Sequence, residues 1–380
     1  TWNQPGAGDV MLDSDGNKLY DFGSAEMSFD DGYGNTVPGL RPYAGTFNLA
    51  GSLHLDERST QVDAVSARTY ADFSILPGLN FRTNLSVDFN GTSGTTYQNA
   101  TYGDAAGYGR ITKNYGRRMV LTFNQLLTYN KSFGQSTVDL LAGHESYSYR
   151  YNFLTATRIG FPFEGIRELA PAATGEGSNS YENNDNIESF LGRVNYDYAD
   201  RYYVSASIRT DGSSRFHPDT RWGTFWSLGG SWRISEENFL QAEWINTLKL
   251  KASYGVQGNN DGIGFYPYQG LYGLGNDNAS FSGALATSLE LQELMWEENG
   301  NFNTGVEFAL FNRIRGSFEY FIRSSSNLLF EVPQPRSLGI DTKWENIGGM
   351  ENKGVEAIVS ADIIASEDFR WNLNLNVTHY

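Results

Sequence analysis

Long stretches of strict two-residue alternation constrain this chain more than any other feature. Phe81, Thr83, Leu85, Val87 and Phe89 alternate with Arg82, Asn84, Ser86, Asp88 and Asn90. Tyr202, Val204, Ala206 and Ile208 alternate with Tyr203, Ser205, Ser207 and Arg209. Leu248, Leu250, Ala252, Tyr254 and Val256 alternate with Lys249, Lys251, Ser253, Gly255 and Gln257. Trp371, Leu373, Leu375 and Val377 alternate with Asn372, Asn374, Asn376 and Thr378. Successive side chains of a strand point to opposite faces, so each stretch has one apolar and one hydrophilic face. Convincing 3.6-residue patterns are nearly absent. A composition with 23 Tyr, 24 Phe, 42 Gly and only 10 Pro also favours strands over helices.

The pattern predicts strands over 64–75, 79–90, 117–130, 135–151, 187–198, 202–211, 221–234, 247–257, 300–311, 314–324, 351–364 and 369–380. Each has ten or more residues, whereas strands of soluble proteins average about 5–6. A tilted strand that crosses a bilayer needs about 9–11. The connections alternate. Short ones span 76–78, 131–134, 199–201, 235–246, 312–313 and 365–368. Long ones span 91–116, 152–186, 212–220, 258–299 and 325–350. A sandwich has no reason to keep all its short turns at one end; an outer-membrane barrel does. Ser235 to Phe239 reads as a helical turn in the longest of the short connections. Aromatics gather at strand ends: Tyr196, Tyr198, Tyr202 and Tyr203 around one turn, Trp222, Trp226 and Trp371 on other strands. Amphipathic rings prefer the membrane–water boundary, which makes these a girdle. The expected fold is an all-β, transmembrane antiparallel β-barrel. Val204 and Leu250 are expected on its lipid face near mid-bilayer, with Ser205 facing inward.

The formal charge of −16 argues against a nucleic-acid partner and against a basic patch for anionic membranes. With no Cys, neither disulfides nor thiolate metal sites are available. The longest apolar run, Phe308 to Phe311, is far short of the ~20 residues of a transmembrane helix. The chain begins at Thr1 without a signal peptide and stops at Tyr380 inside a patterned segment, so it reads as an internal fragment. Residues 1–63 read as a loop-rich segment with a possible strand, and 64–380 as transmembrane barrel strands with long extracellular loops.

Three stretches in order carry a resemblance. They are Arg209-Thr210-Asp211-Gly212-Ser213-Ser214-Arg215-Phe216, then Ser231-Trp232-Arg233-Ile234-Ser235-Glu236-Glu237-Asn238-Phe239, then Leu248-Lys249-Leu250-Lys251-Ala252-Ser253-Tyr254-Gly255-Val256-Gln257-Gly258-Asn259. Further markers follow at Trp296-Glu297, at Asn303-Thr304-Gly305-Val306-Glu307-Phe308 and over Asn346 to Glu356. Together they resemble the SusC/RagA-type TonB-linked outer-membrane proteins of Bacteroidetes, over roughly 186 to 380. The resemblance implies a 22-stranded barrel, of which about twelve strands lie here, and a plug domain outside this chain. It further implies a TonB-type energy-transducing complex, a SusD-like surface lipoprotein, and import of oligosaccharides or, in some members, peptides.

No catalytic or metal constellation emerges. His54, His144, His217 and His379 are scattered. Asp13-Ser14-Asp15-Gly16-Asn17 starts like a calcium loop, but the positions that need Gly and Glu hold Lys18 and Ser24, so an Asp/Gly turn is the better reading and no cofactor is expected. The acid pairs Glu236-Glu237, Glu297-Glu298 and Asp30-Asp31 read as solvated charge, since neighbours on a strand face opposite ways. What remains is binding by loops. Tyr97, Tyr102, Tyr108 and Tyr115 lie in or beside 91–116. Phe265, Tyr266, Tyr268 and Tyr272 lie in 258–299 with Asn259, Asn260, Asp261, Asn276 and Asp277. Rings suit the C–H faces of sugars and Asn/Asp suit their hydroxyls, and peptide backbones use similar groups. Packing of loop against loop is the competing use of the same rings. The expected function is import of oligosaccharides across the outer membrane. The alternatives are peptide import by the same class, or a secreted β-rich glycan-binding or adhesin module. A glycoside hydrolase is the weakest rival.

Overall fold

A computed structural model describes residues 53–100, 103–163, 165–240, 242–278 and 281–380, and the backbone of two short strands at Ser28–Asp30 and Thr36–Pro38. Most of 1–63, the Asp13–Asn17 motif, Asp31 and Tyr102 lie outside the described residues.

Among the described residues, twelve strands form one antiparallel sheet. They are β1 (Glu57–Leu76), β2 (Leu79–Gln98), β3 (Arg110–Phe133), β4 (Ser136–Ile159), β5 (Thr174–Tyr198) and β6 (Tyr202–Ser213), then β7 (Trp222–Arg233), β8 (Ile245–Asn259), β9 (Glu297–Leu310), β10 (Ile314–Ser326), β11 (Gly349–Ala365) and β12 (Arg370–His379). Their order in the sheet is their order in the sequence, with β1 and β12 at its two edges. All twelve expected strands are present. The short connections remain short, and a 3₁₀ turn at Ile234–Glu236 fills the longest of them.

The strands reach further than the alternation does. β2 runs eight residues past 90, β3 starts at Arg110, and β5 starts at Thr174 instead of 187. The added stretches, such as Thr174 to Asn186, have almost no apolar side chains. Backbone pairing holds a strand together in water as well as in hydrocarbon, so a strand continues where its apolar face has ended. The loops correspondingly shrink, and Tyr97 lies in β2 and Tyr115 in β3. β1 likewise begins at Glu57, ahead of 64. Two small hairpins stand inside the remaining long loops, Tyr272–Leu274 with Ala284–Ala286 and Leu329–Pro333 with Thr342–Asn346.

The chain divides into two compact units. The described parts of 1–66, 88–119 and 150–183 form one, and 67–87, 120–149 and 184–380 form the other. In the larger unit the register places Leu250 beside Trp232 and Trp232 beside Tyr202, so the apolar faces of β6, β7 and β8 are continuous. That face is not covered by protein: Ile208 is 55 % exposed, Leu228 54 % and Leu375 57 %. Monomers in water rarely leave contiguous apolar patches larger than a few hundred Å² exposed. On β7, Trp222 and Trp232 share this face ten residues apart. At about 3.4 Å per residue and a tilt of 35–45° that separation is about 25 Å of height, the thickness of an outer-membrane apolar band.

The well-packed core lies elsewhere. Phe216, Phe225, Ile263, Leu294 and Trp296 are buried together, with Val256, Leu291, Leu329 and Trp344 packed against them. These residues come from the long connections and the adjoining strand ends. The hydrocarbon-facing wall needs no protein core, while the loops, which stand in water, do.

Candidate functional site

The inner faces of β4 to β11 line a cavity of about 910 Å³. Its wall offers hydroxyls and amides (Ser205, Ser231, Ser253, Asn303) around charged groups. Lys251 on β8 reaches Glu307 at 2.8 Å and Glu319 at 2.7 Å. The second contact crosses a whole strand, because the residue between Lys251 and Glu319 in the register is Gly305. A Cβ there would sit 2.4 Å from the Phe318 carbonyl oxygen, so nothing larger than glycine fits. Higher on the same face, Arg209 Nη2 donates to Glu145 and Ser189, each at 2.9 Å, and its Nε donates to Asp211 at 2.7 Å. The inner wall is not purely hydrophilic: Phe321 on β10 and Phe225 on β7 are both nearly inaccessible.

Above this wall a polar knot joins two connections to β5 and to the end of β6. Arg215 donates through Nε and Nη2 to Asp185 Oδ2 at 3.1 and 2.7 Å, and through Nη1 to the Asn260 carbonyl at 3.0 Å. Asn260 Nδ2 donates to Ser213 Oγ at 3.0 Å, and Ser213 is fully buried. Arg215 belongs to the sequence markers but carried no role there, and nothing in the sequence pointed to Asp185, its partner across thirty positions.

At the short-turn end, Glu237 accepts from the Tyr202 hydroxyl at 2.5 Å and the Trp232 indole N–H at 3.0 Å. These bonds hold its carboxyl below the usual carboxylate range, with Tyr202 the larger cause and Arg201 at 3.6 Å adding to it.

The residues expected to bind ligand fall into both units. In the smaller unit, Tyr97 is 2 % exposed, with the Arg167 guanidinium 3.6 Å from its ring centroid and Phe161 edge-on at 5.6 Å. Its ring is engaged by protein. Tyr108 donates its hydroxyl to the Asp104 carbonyl at 2.5 Å, and Arg110 lies over its ring. In the larger unit, Asn259 donates to Glu297 at 3.2 Å and accepts from the Asp261 amide at 3.1 Å, an Asx turn. Asn260 is part of the knot. Asp261 has an exposed side chain 4.0 Å from Arg215. Tyr266 accepts from the Asn184 amide at 2.9 Å, and Tyr268 packs edge-on against His217. The structure brings Asn259, Asn260 and Asp261 together at the knot. Tyr266 and Tyr268 belong to the same loop, and much of their polar capacity is used within the protein.

Over all 380 residues the sequence matches the family described as TonB dependent receptor-like, beta-barrel. TonB-dependent receptor P39 of Formosa agariphila is 32 % identical over 324 residues, covering 82 % of this chain and 30 % of that protein. TonB-dependent receptor SusC of Bacteroides thetaiotaomicron is 30 % identical over 317 residues, covering 80 % and 31 %. Among solved structures, one of the RagAB peptide transporter superposes with a TM-score of 0.80 at 24 % identity, covering 90 % of this chain and 40 % of that one. At that identity the likeness concerns the fold. The chain spans about a third of the length of the curated relatives it matches.

Proposed function

Because this chain belongs to the TonB dependent receptor-like β-barrel family, at its SusC/RagA branch, we propose that it is the wall of an outer-membrane importer of oligosaccharides. The family is one of outer-membrane transporters and not of enzymes, and the chain's place is the outer membrane. The observation that carries the proposal is the inner face of β4 to β11. Short hydroxyl and amide side chains there surround a group of two lysines and two glutamates, Lys249, Lys251, Glu307 and Glu319, whose charges balance. Such a wall, which also carries Asp139, Asp197, Arg323 and Glu356, offers many hydrogen-bonding groups, which suits the passage of a polyhydroxyl solute.

In this reading the strands of this chain form about half of a 22-stranded barrel. A SusD-like surface lipoprotein meets the long connections, a TonB-type complex supplies the energy, and a plug outside residues 1–380 gates the passage. Asp261, with its exposed side chain, is the loop residue freest to take part in capture; Tyr266, Tyr268, Asn259, Asn260 and Tyr108 would do so with the capacity their protein partners leave, together with Tyr102. Tyr97 would take part only after Arg167 leaves its ring. The peptide reading stays as the second one, since the RagAB protein of similar fold is a peptide transporter.

Growth tests the choice. A strain that lacks the full-length receptor is expected to lose growth on an oligosaccharide as sole carbon source. It should regain it with the wild-type gene, and lose the lipoprotein partner from pull-downs on deletion of the long connections. Loss of growth on oligopeptides alone, with sugars unaffected, reverses the assignment.

A further inference from the structure

A second cavity, of about 850 Å³, opens among the long connections at 290–295 and 343–346, away from the wall described above. Ligand pockets generally measure about 300–1,000 Å³ and combine an apolar floor with a few placed polar groups. This one has both. Its floor is Trp344, Leu291 and Leu294, which rest on the buried Phe216–Trp296 cluster. Glu290, Glu293 and Asn327 border it; Lys343 and Glu345 also line it, but as strand neighbours of Trp344 their side chains leave on the opposite face.

The backbone around the floor is fixed before any ligand arrives. Asn346 accepts from the Met295 amide at 2.9 Å through its side-chain oxygen, and its Nδ2 donates to the carbonyls of Met295 and Asn327 at 2.8 and 2.9 Å. Thr220 Oγ1 donates to the Leu294 carbonyl at 2.8 Å. Among the described residues, the Glu293 carboxylate and the Asn327 side-chain amide have no protein partner, while Lys343 and Glu345 pair at 2.8 Å. The pocket is thus preorganised, with free acceptors and donors beside an indole.

We propose that this pocket binds one sugar unit of an oligosaccharide, neutral or amino-substituted, independently of the inner wall. The inference rests on the import reading and adds a place and a charge class to it. An indole packs against the C–H face of a pyranose. Carboxylates accept from its hydroxyls, and the Asn327 amide donates to its oxygens. With Lys343 and Glu345 paired to each other, Glu290 and Glu293 leave the rim negative, which repels uronic and sulfated sugars and admits neutral or cationic ones.

Calorimetry on the full-length receptor in detergent tests this, with a panel of neutral, amino and uronic hexasaccharides. Neutral or amino sugars are expected to bind and uronic ones not. Trp344→Ala should weaken binding roughly tenfold, the upper range for loss of an aromatic contact, and Trp344→Phe should restore most of it. Glu293→Gln should weaken binding of the neutral sugars roughly fivefold, the difference between a charged and a neutral hydrogen bond. Heat-modifiable migration on gels confirms that each variant is folded. Oligosaccharide binding that Trp344→Ala leaves intact overturns the pocket and spares the import reading, because the sugar then sits elsewhere. Uronic sugars binding as well as neutral ones also overturns it. Loss of growth only on peptides removes the import reading itself.

Discussion

Leu228 sits midway between Trp222 and Trp232 on β7, and its exposed side chain is on the same face as theirs. The register therefore ranks positions by depth, and it corrects the sequence-based placement. Leu250 pairs with Trp232 and so lies at the girdle, and Val204 is only two residues from Tyr202. Leu228→Arg is expected to cost about 2–4 kcal/mol and Leu250→Arg about 0–1 kcal/mol, since the penalty falls from midplane to interface. Ser205→Arg, which enters the polar cavity, should be close to neutral. Urea titration of the full-length receptor folding into vesicles reads these values; equal costs at Leu228 and Ser205 would refute the facing. Glu237 yields a prediction in pH. Its folded pKa is depressed by Tyr202 first and Trp232 second, so its contribution is present above the unfolded carboxylate pKa and disappears as pH falls through the lower folded value. Protease protection of the 234–244 turn should thus persist at pH values where ordinary carboxylates are already protonated. Glu237→Gln should remove that pH dependence.

At the scale of the element, two turns share an unusual backbone. Ala199 and Asp200 both have positive φ (55° and 57°), as do Phe311 and Asn312 (54° and 56°). Each turn is closed by the same bond, Arg201 to the Tyr198 carbonyl and Arg313 to the Leu310 carbonyl, at 3.0 Å. The left-handed region costs an ordinary L-residue roughly 1–2 kcal/mol, and Asn visits it more readily. Ala199→Asn should therefore stabilise the receptor by about 1 kcal/mol, measured as a higher urea midpoint. A fall in midpoint would mean that the alanine methyl makes a contact worth more than the strain. These turns were legible in the sequence only as places where alternation stops. The strands themselves were legible because hydrocarbon imposes a period of two on one face, as in Leu248 to Val256. Beyond the apolar band that constraint lapses. Thr174 to Asn186 pairs through its backbone with no side-chain signature, and Tyr97 reads as loop although it is strand. The site was less legible for a similar reason. Arg215 meets Asp185, and Trp344 and Glu293 line one cavity, through loops and strand extensions that show no apolar period, so only their residue types could be weighed.

At the scale of the whole molecule, the strongest constraint is the pair of edges. β1 and β12 end the sheet, and each carries a row of backbone groups with no further strand beside it among the described residues. In water such edges are a route to aggregation. In hydrocarbon each unpaired N–H or C=O costs several kcal/mol, which no open sheet can offset. The exposed apolar face forbids water and the open edges forbid lipid, so this sheet is stable only when other strands complete it. That agrees with a chain about a third as long as its curated relatives. Residues 1–380 expressed alone are expected to give no heat-modifiable species in detergent or vesicles, whereas the full-length receptor gives one. Adding the missing strands as a separate polypeptide during refolding should rescue the fragment, because the edges are then paired whether or not the backbone is continuous. A monomeric, protease-resistant 1–380 in detergent would show that β1 and β12 close on each other without further strands.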